Sequence, residues 1–170
     1  MIGSEMSGGV RNVFVSNCTF MGSDIGLRFK TTRGRGGIVE NIYVTDVAMS
    51  DIPAEAILFD MYYNGKEAAE ALKNPQGDVK PITEGTPQFR NFYFRNITCR
   101  GAAYGVYIQG LPEMNVQNVN IENSILQAKN AFFCTAGEGI QLKNVVFQTE
   151  GKAEMKVLNS KKVVINGVKY

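Results

Sequence analysis

The 170-residue chain carries 18 Lys and Arg against 16 Asp and Glu, a net charge of +2, so any basic site must be local and no nucleic-acid partner is expected. It contains no His, which excludes Ser-His-Asp and Cys-His catalysis within these residues and the usual zinc sites with it. Cys18, Cys99 and Cys134 are odd in number and scattered, and read as small buried hydrophobes, not as a disulfide framework or a metal site. No apolar run approaches a membrane span, and Met1–Glu5 shows no signal peptide. The length fits one domain over 1–170.

In chain order, the organising feature is a repeat. Arg11-Asn12-Val13-Phe14-Val15-Ser16-Asn17 matches segments beginning at Glu40, Arg90, Gln117 and Lys143, with a weaker copy at Lys161. One column holds Val13, Ile42, Phe92, Val119, Val145 and Val163. Two residues on, Val15, Val44, Phe94, Ile121, Phe147 and Ile165 form a second. Such β-branched and aromatic columns suit a buried pleated face. A polar column of Asn17, Asp46, Asn96, Asn123 and Thr149 follows, placed to bond turn backbone or its stacked copy. A second strand comes after each first one: Ile25–Lys30, Ala56–Met61, Gly105–Gln109, Ala131–Cys134 and Met155–Leu158. Anchor spacings of 29, 50, 27, 26 and 18 residues, with no helical pattern between most of them, predict an all-β solenoid of parallel strands, a parallel β-helix. A sandwich of hairpins would need two-residue turns between matched strands, and neither Asn64-Gly65 nor Asn166-Gly167 joins such a pair. The 50-residue interval predicts one coil plus an outward insertion at about 64–86, in which Lys66–Lys73 has high helix propensity.

Within the first of the second strands, Gly22–Thr31, Ile25, Leu27 and Phe29 alternate with Gly26, Arg28 and Lys30. Side chains two apart on a strand point the same way, so Arg28 and Lys30 are expected to project together from the face opposite the apolar one. Alone, Arg-x-Lys reads as a solvated strand face. Here Arg33 and Arg35 continue the cations into a Gly-rich turn. Stacking the second strands sets Arg28 beside Leu58 and Tyr107, and Lys30 beside Asp60 and Gln109, with Tyr62 continuing the outward face. Arg, Lys, Tyr and Gln on a rigid sheet suit a carboxylated sugar chain: cations take carboxylates, aromatics pack on ring faces and amides meet hydroxyls.

These residues carry a resemblance. Arg28-Phe29-Lys30, within Ser-Asp-Ile-Gly-Leu-Arg-Phe-Lys-Thr, resembles the Arg-Ile-Lys motif of family 28 glycoside hydrolases, the polygalacturonases and related pectinases. Ile2–Gly9 is similar to the segment that follows the family's Gly-His-Gly motif, and Thr86–Asn91 with Asn96–Ala102 is similar to bacterial members. The resemblance implies a right-handed parallel β-helix, pectin or oligogalacturonate as partner, no cofactor or metal, and a secreted or periplasmic location. It implies that Arg28 and Lys30 bind the galacturonate carboxylate and hydroxyls near the scissile bond. The family's tyrosine maps to Tyr62, with Tyr63 as the alternative because Asp60-Met61-Tyr62-Tyr63 has one extra residue. Asp60, Tyr107 and Gln109 are expected to support the site.

Family catalysis, inverting hydrolysis by three aspartates in Asn-Thr-Asp and Asp-Asp motifs, has no counterpart here, since neither motif occurs in the chain. The expectation is therefore a C-terminal portion of a pectinase, a truncated solenoid without catalytic residues of its own and inactive alone. The alternative is a non-catalytic carbohydrate-binding β-helix. A calcium-dependent pectate lyase is weaker, because no carboxylate cluster shows in the sequence. An uncapped N-terminal coil is expected to self-associate.

Overall fold

The strand ladder follows the repeat. In the computed structural model, which describes residues 1–63, 68–74 and 79–170, the elements run β1 (Val10–Met21), β2 (Leu27–Lys30), β3 (Ile38–Ser50), β4 (Glu55–Asp60) and α1 (Ala68–Lys73). Then come β5 (Gln88–Gln109), β6 (Val116–Thr135), β7 (Gly137–Gln148), β8 (Met155–Leu158), β9 (Val164–Ile165) and β10 (Val168–Lys169). Two stacks of strands grow along one axis, β1-β3-β5-β6-β7-β9 and β2-β4-β5-β6-β8, since β5 and β6 each contribute a leg to both. All of these ladders are parallel, and only β10 folds back antiparallel on β9. This is a right-handed parallel β-helix, one coil per repeat.

The long strands bend at residues with left-handed backbone. Asn12, Asn41, Asn91 and Asn118 share one corner, and Asn17, Asp46, Asn96, Asn123 and Asn144 the next, all at φ between 50° and 62°. Asn and Asp tolerate this region because their short polar groups bond locally. Here they also bond along the axis. Each Asn Nδ2 donates to the Oδ1 one coil back, Asn41 to Asn12 at 3.2 Å, Asn91 to Asn41 at 3.2 Å and Asn118 to Asn91 at 3.0 Å. In the second corner Asn96 donates to Asp46 at 2.8 Å, and this bond, with that from Thr45, holds the Asp46 carboxyl below its ordinary range.

One repeat assignment is corrected. Ile140 pairs with Val119 and Leu142 with Ile121, so these fill the two apolar columns in the fifth coil. Val145 and Phe147, expected there, lie one sheet further on, opposite Ser124 and Leu126. The polar-column position expected at Thr149 is taken by Asn144, whose Nδ2 donates to Asn123 at 2.9 Å. The coil is shorter than the pattern implied, with partners 21 residues apart, and the corner Asn is replaced by Gly139.

The interior is filled by the alternate residues of each leg, centred on Phe29, Phe59, Phe89, Phe92 and Phe94. Cys99 and Cys134 are buried, and burial pushes both thiols up to about 11, which keeps them protonated and inert; Cys18 is half-buried. At the β1 edge, Val13, Val15 and Phe20 are only half-buried, whereas Ile42, Val44 and Met49 one coil on are almost fully covered. That edge also leaves a row of strand N–H and C=O groups without a ladder partner among the described residues. Residues 1–170 on their own are expected to self-associate through it, giving a concentration-dependent mass by light scattering; a monomer at high concentration would refute this. At the other end the β9–β10 hairpin folds over the ladder. The predicted helix is present as α1, while its first residues, Lys66 and Glu67, lie outside the described residues together with Asn64–Gly65 and 75–78. Among the described residues no helix is long and apolar enough to cross a membrane.

Candidate functional site

The site grows from β2. Leu27 and Phe29 turn inward, Phe29 stacking on Phe59 at 4.9 Å, so Arg28 and Lys30 face out of the sheet. Register matches expectation: Arg28 lies beside Leu58, then Tyr107, and Lys30 beside Asp60, then Gln109. Lys30 is not solvated, however. It is 8% exposed, with its ammonium 3.6 Å from the centre of the Tyr63 ring, and the Arg28 guanidinium lies 5.2 Å from the same ring. An aromatic face attracts a cation, and more strongly when water is kept away.

On the other side of β2, Ile2 pairs with the strand: its N–H donates to the Arg28 carbonyl at 2.9 Å and its carbonyl accepts from the Lys30 N–H at 3.0 Å. Gly3 has φ +96°, and a Cβ there would collide with the Lys30 carbonyl, so only glycine lets the chain pass this close. Sequence reading valued Ile2-Gly3 as part of a resemblance and missed its place as the wall of the site.

The structure places the two tyrosines differently. Asp60 Oδ1 accepts the Tyr62 N–H at 2.9 Å, an Asx-type turn that sends Tyr62 into the core at 5% exposure and brings Tyr63 over the two cations. Tyr62 therefore does not continue the outward face. Its ring instead lies 5.2 Å from the Arg33 guanidinium. Asp60 is itself pushed above its ordinary pKa by burial, with the Tyr62 N–H, Arg28 and Lys30 pulling the other way. Glu55, on the same strand, is also raised by burial, with Arg28 opposing and Asp24 and Asp60 adding to the rise.

The four cations separate into two kinds. Arg33 forms a fork on Glu113, Nε to Oε1 at 2.7 Å and an η-nitrogen to Oε2 at 2.9 Å, with Glu113 almost entirely covered. Arg35 reaches the exposed Glu5 at 3.1 Å. Arg28 differs: its Nε is buried and has no hydrogen-bond partner among the described residues, and the same holds for Thr31 Oγ1. A buried donor without a partner is costly, so its presence points to a group that completes it.

Further along the same face, Tyr107 stacks on Phe133 at 4.6 Å and meets Tyr104 edge-on at 5.2 Å, and burial pushes its hydroxyl up to about 12. Because Tyr107 and Phe133 stack on adjacent rungs, the two ring faces between them cover each other. Gln109 is buried beside Asp60, and its carbonyl accepts the Met61 N–H at 3.0 Å.

Comparison with known proteins fits this geometry. The family model described as glycosyl hydrolases family 28 matches residues 1–83, the part that holds Arg28, Lys30, Asp60 and both tyrosines. A crystal structure of a hyperthermoactive exopolygalacturonase from Thermotoga maritima superposes with a TM-score of 0.72 and 32% identity, covering 86% of this chain and 30% of that one. The chain is similar to glycosyl hydrolase family 28 in the part that builds the site. Among curated relatives, a probable polygalacturonase of Vitis vinifera is 27% identical over 139 residues, 82% of this chain and 27% of its own length. A polygalacturonase of Ralstonia nicotianae is 31% identical over 109 residues, 62% of this chain and 18% of its own length. The chain thus spans 27% and 18% of the length of these two relatives.

Proposed function

We propose that these 170 residues supply one side of the substrate groove of a polygalacturonase-type hydrolase that cleaves galacturonate linkages in pectin, outside the cell where pectin lies. Arg28 and Lys30 take the carboxylate and hydroxyls of a galacturonate unit beside the scissile bond. Tyr63 holds Lys30 in place, Asp60 fixes the turn that delivers Tyr63, and Tyr107 and Gln109 extend the wall. Residues 1–170 act as a single domain, with an outward insertion at about 64–86, of which 64–67 and 75–78 lie outside the described residues. The supporting observation is the buried Arg28 Nε without a hydrogen-bond partner among the described residues, two strand positions from a desolvated Lys30. A carboxylate accepts from both, and charge-assisted bonds of this kind are short and strong. Attack with inversion requires one carboxyl to protonate the leaving oxygen and another to activate water across the bond. In this reading those carboxyls come from outside residues 1–170.

Binding and turnover therefore separate. Residues 1–170 should bind a short oligogalacturonate weakly while releasing no reducing ends from polygalacturonate. Arg28→Ala and Lys30→Ala should each weaken binding by about 1–2 kcal/mol, below the fully buried range because one wall of the groove is open to water. Arg35→Ala should change it little, since that side chain is exposed and engaged with Glu5. Affinity should rise as pH falls from neutral toward the range where Glu55 and Asp60 take up protons, because their charges compete with the ligand for Arg28. Titration calorimetry with a reducing-end assay decides. Equal losses at Arg28, Lys30 and Arg35 would mean a diffuse basic patch, and hydrolysis abolished by one Asp substitution would mean that the chain carries its own acid.

A further inference from the structure

The stack of strands that does not carry Arg28 has an aromatic ladder on its outer surface. Phe14, Tyr43 and Tyr93 stand on successive rungs, with centres 4.8 and 4.9 Å apart and planes within 9° of parallel. All three rings are exposed, and none fills the core. The ladder stops at Tyr93 because Asn120 takes the next rung, so among the described residues one face of the Tyr93 ring has no ring over it. A cleft of about 450 Å³ opens here, between the column Tyr43, Tyr93, Asn120 and the column Thr45, Arg95, Glu122. The side chains of Val44 and Phe94 are buried, so it is their backbone that lines the cleft between the columns. We propose that this cleft is a binding platform for a neutral β-linked hexopyranose chain, one sugar ring of which stacks on the free face of Tyr93.

Three observations carry it. The first is the pairing of an open aromatic face with polar groups around it. A β-linked hexopyranose presents C–H bonds on its faces and hydroxyls at its rim. Tyr93 suits the face, while Asn120 offers a donor and an acceptor, Glu122 an acceptor and Arg95 donors for the rim. The second is that these charges are left open. Arg95 and Glu122 are register neighbours of opposite sign, both exposed, yet neither side chain makes an ion pair or hydrogen bond among the described residues. Glu40 and Arg90, likewise on adjacent rungs, close to 2.8 Å. The third is the balance of charge, which selects the class of sugar. Asp46 lies near enough to Arg95 to be lowered by its charge, and Lys143 stands one rung beyond Glu122. Arg95 and Lys143 thus offset Glu122 and Asp46. A sugar carboxylate would meet two carboxylates along with the cations, whereas a neutral sugar brings no charge that must be matched. The platform shares no side chain with the Arg28 site and stands independently of it.

The test titrates residues 1–170 with a β-1,4-linked glucose hexamer and, separately, with a galacturonate oligomer, following backbone amide shifts by NMR. In wild type the glucose hexamer should shift amides around Tyr93, Asn120 and Glu122. Tyr93→Ala should weaken it about three- to tenfold, the range of one aromatic stacking contact. Glu122→Gln should weaken it about two- to fivefold, the range of one exposed hydrogen bond. Asn120→Tyr keeps the Tyr93 ring but extends the ladder over its free face, so it should abolish hexamer binding without lowering the melting temperature. Arg28→Ala should leave the hexamer unchanged. The proposal falls if wild type does not bind the hexamer, or if Asn120→Tyr binds it as wild type does. It also falls if the galacturonate oligomer shifts the Tyr93 amides as strongly as the glucose hexamer, because the charge argument is then wrong. Loss of a concentration-dependent mass in Tyr93→Ala, with no hexamer binding by wild type, would assign the ladder to contact between copies of the chain instead.

Discussion

Phe92→Ala should destabilise the chain by about 3–5 kcal/mol, the range for truncating a buried Phe, and lower its melting temperature by roughly 10 °C. Phe92 is fully buried and packs against three other rings, Phe29 at 4.9 Å, Phe59 at 4.8 Å and Phe89 at 6.1 Å between centres. None of these neighbours can collapse into the void, because each is fixed by a strand that is hydrogen-bonded to the next coil. Phe29 lies between Arg28 and Lys30, so the loss should reach the site as weaker oligogalacturonate binding. Phe14→Ala is the control. That ring stacks on Tyr43 at 4.8 Å but is 74% exposed, and its removal should cost less than about 1 kcal/mol. Thermal melts followed by circular dichroism measure both, and equal shifts would mean that the phenylalanine cluster is not the core of the solenoid.

The repeat was legible because each corner needs a left-handed residue and each leg a β-branched or aromatic pair, so Asn-Val-x-Val-x-Asn writes the geometry directly into residue types. The same rule explains the misplaced fifth copy. Both corners of a coil use Asn, and when Gly139 took the first one, Asn144 of the second was the next match in the sequence. Arg28, Lys30 and their rung neighbours were readable from strand alternation alone. Their environment was not. Whether Tyr62 or Tyr63 covers Lys30 depends on one hydrogen bond that the Asp60 carboxylate accepts from the Tyr62 N–H, and no periodicity reports that. Glu113, 80 residues from its partner Arg33, sits in a turn with no pattern around it, so sequence counted Arg33 with the open cations.

Arg33 is instead a strut, and its removal should show it. Arg33→Met should destabilise the chain by about 3 kcal/mol or more, because Glu113 would keep a charge in a covered site with its fork partner gone. The effect belongs to the pair and not to either residue. Glu113→Leu combined with Arg33→Met should recover most of the loss, since replacing both members of a buried pair by apolar groups of similar size is often neutral or better. Chemical denaturation of the two single variants and the double variant measures the coupling. Additive losses would mean that the bidentate bond contributes little. Binding separates this role from that of Arg28. The Arg33 guanidinium lies over Tyr62, whose neighbour Tyr63 covers Lys30, so Arg33→Met acts on ligand only through that turn. The stabilised double variant should therefore bind oligogalacturonate nearly as wild type does, while Arg28→Ala stays defective at full stability.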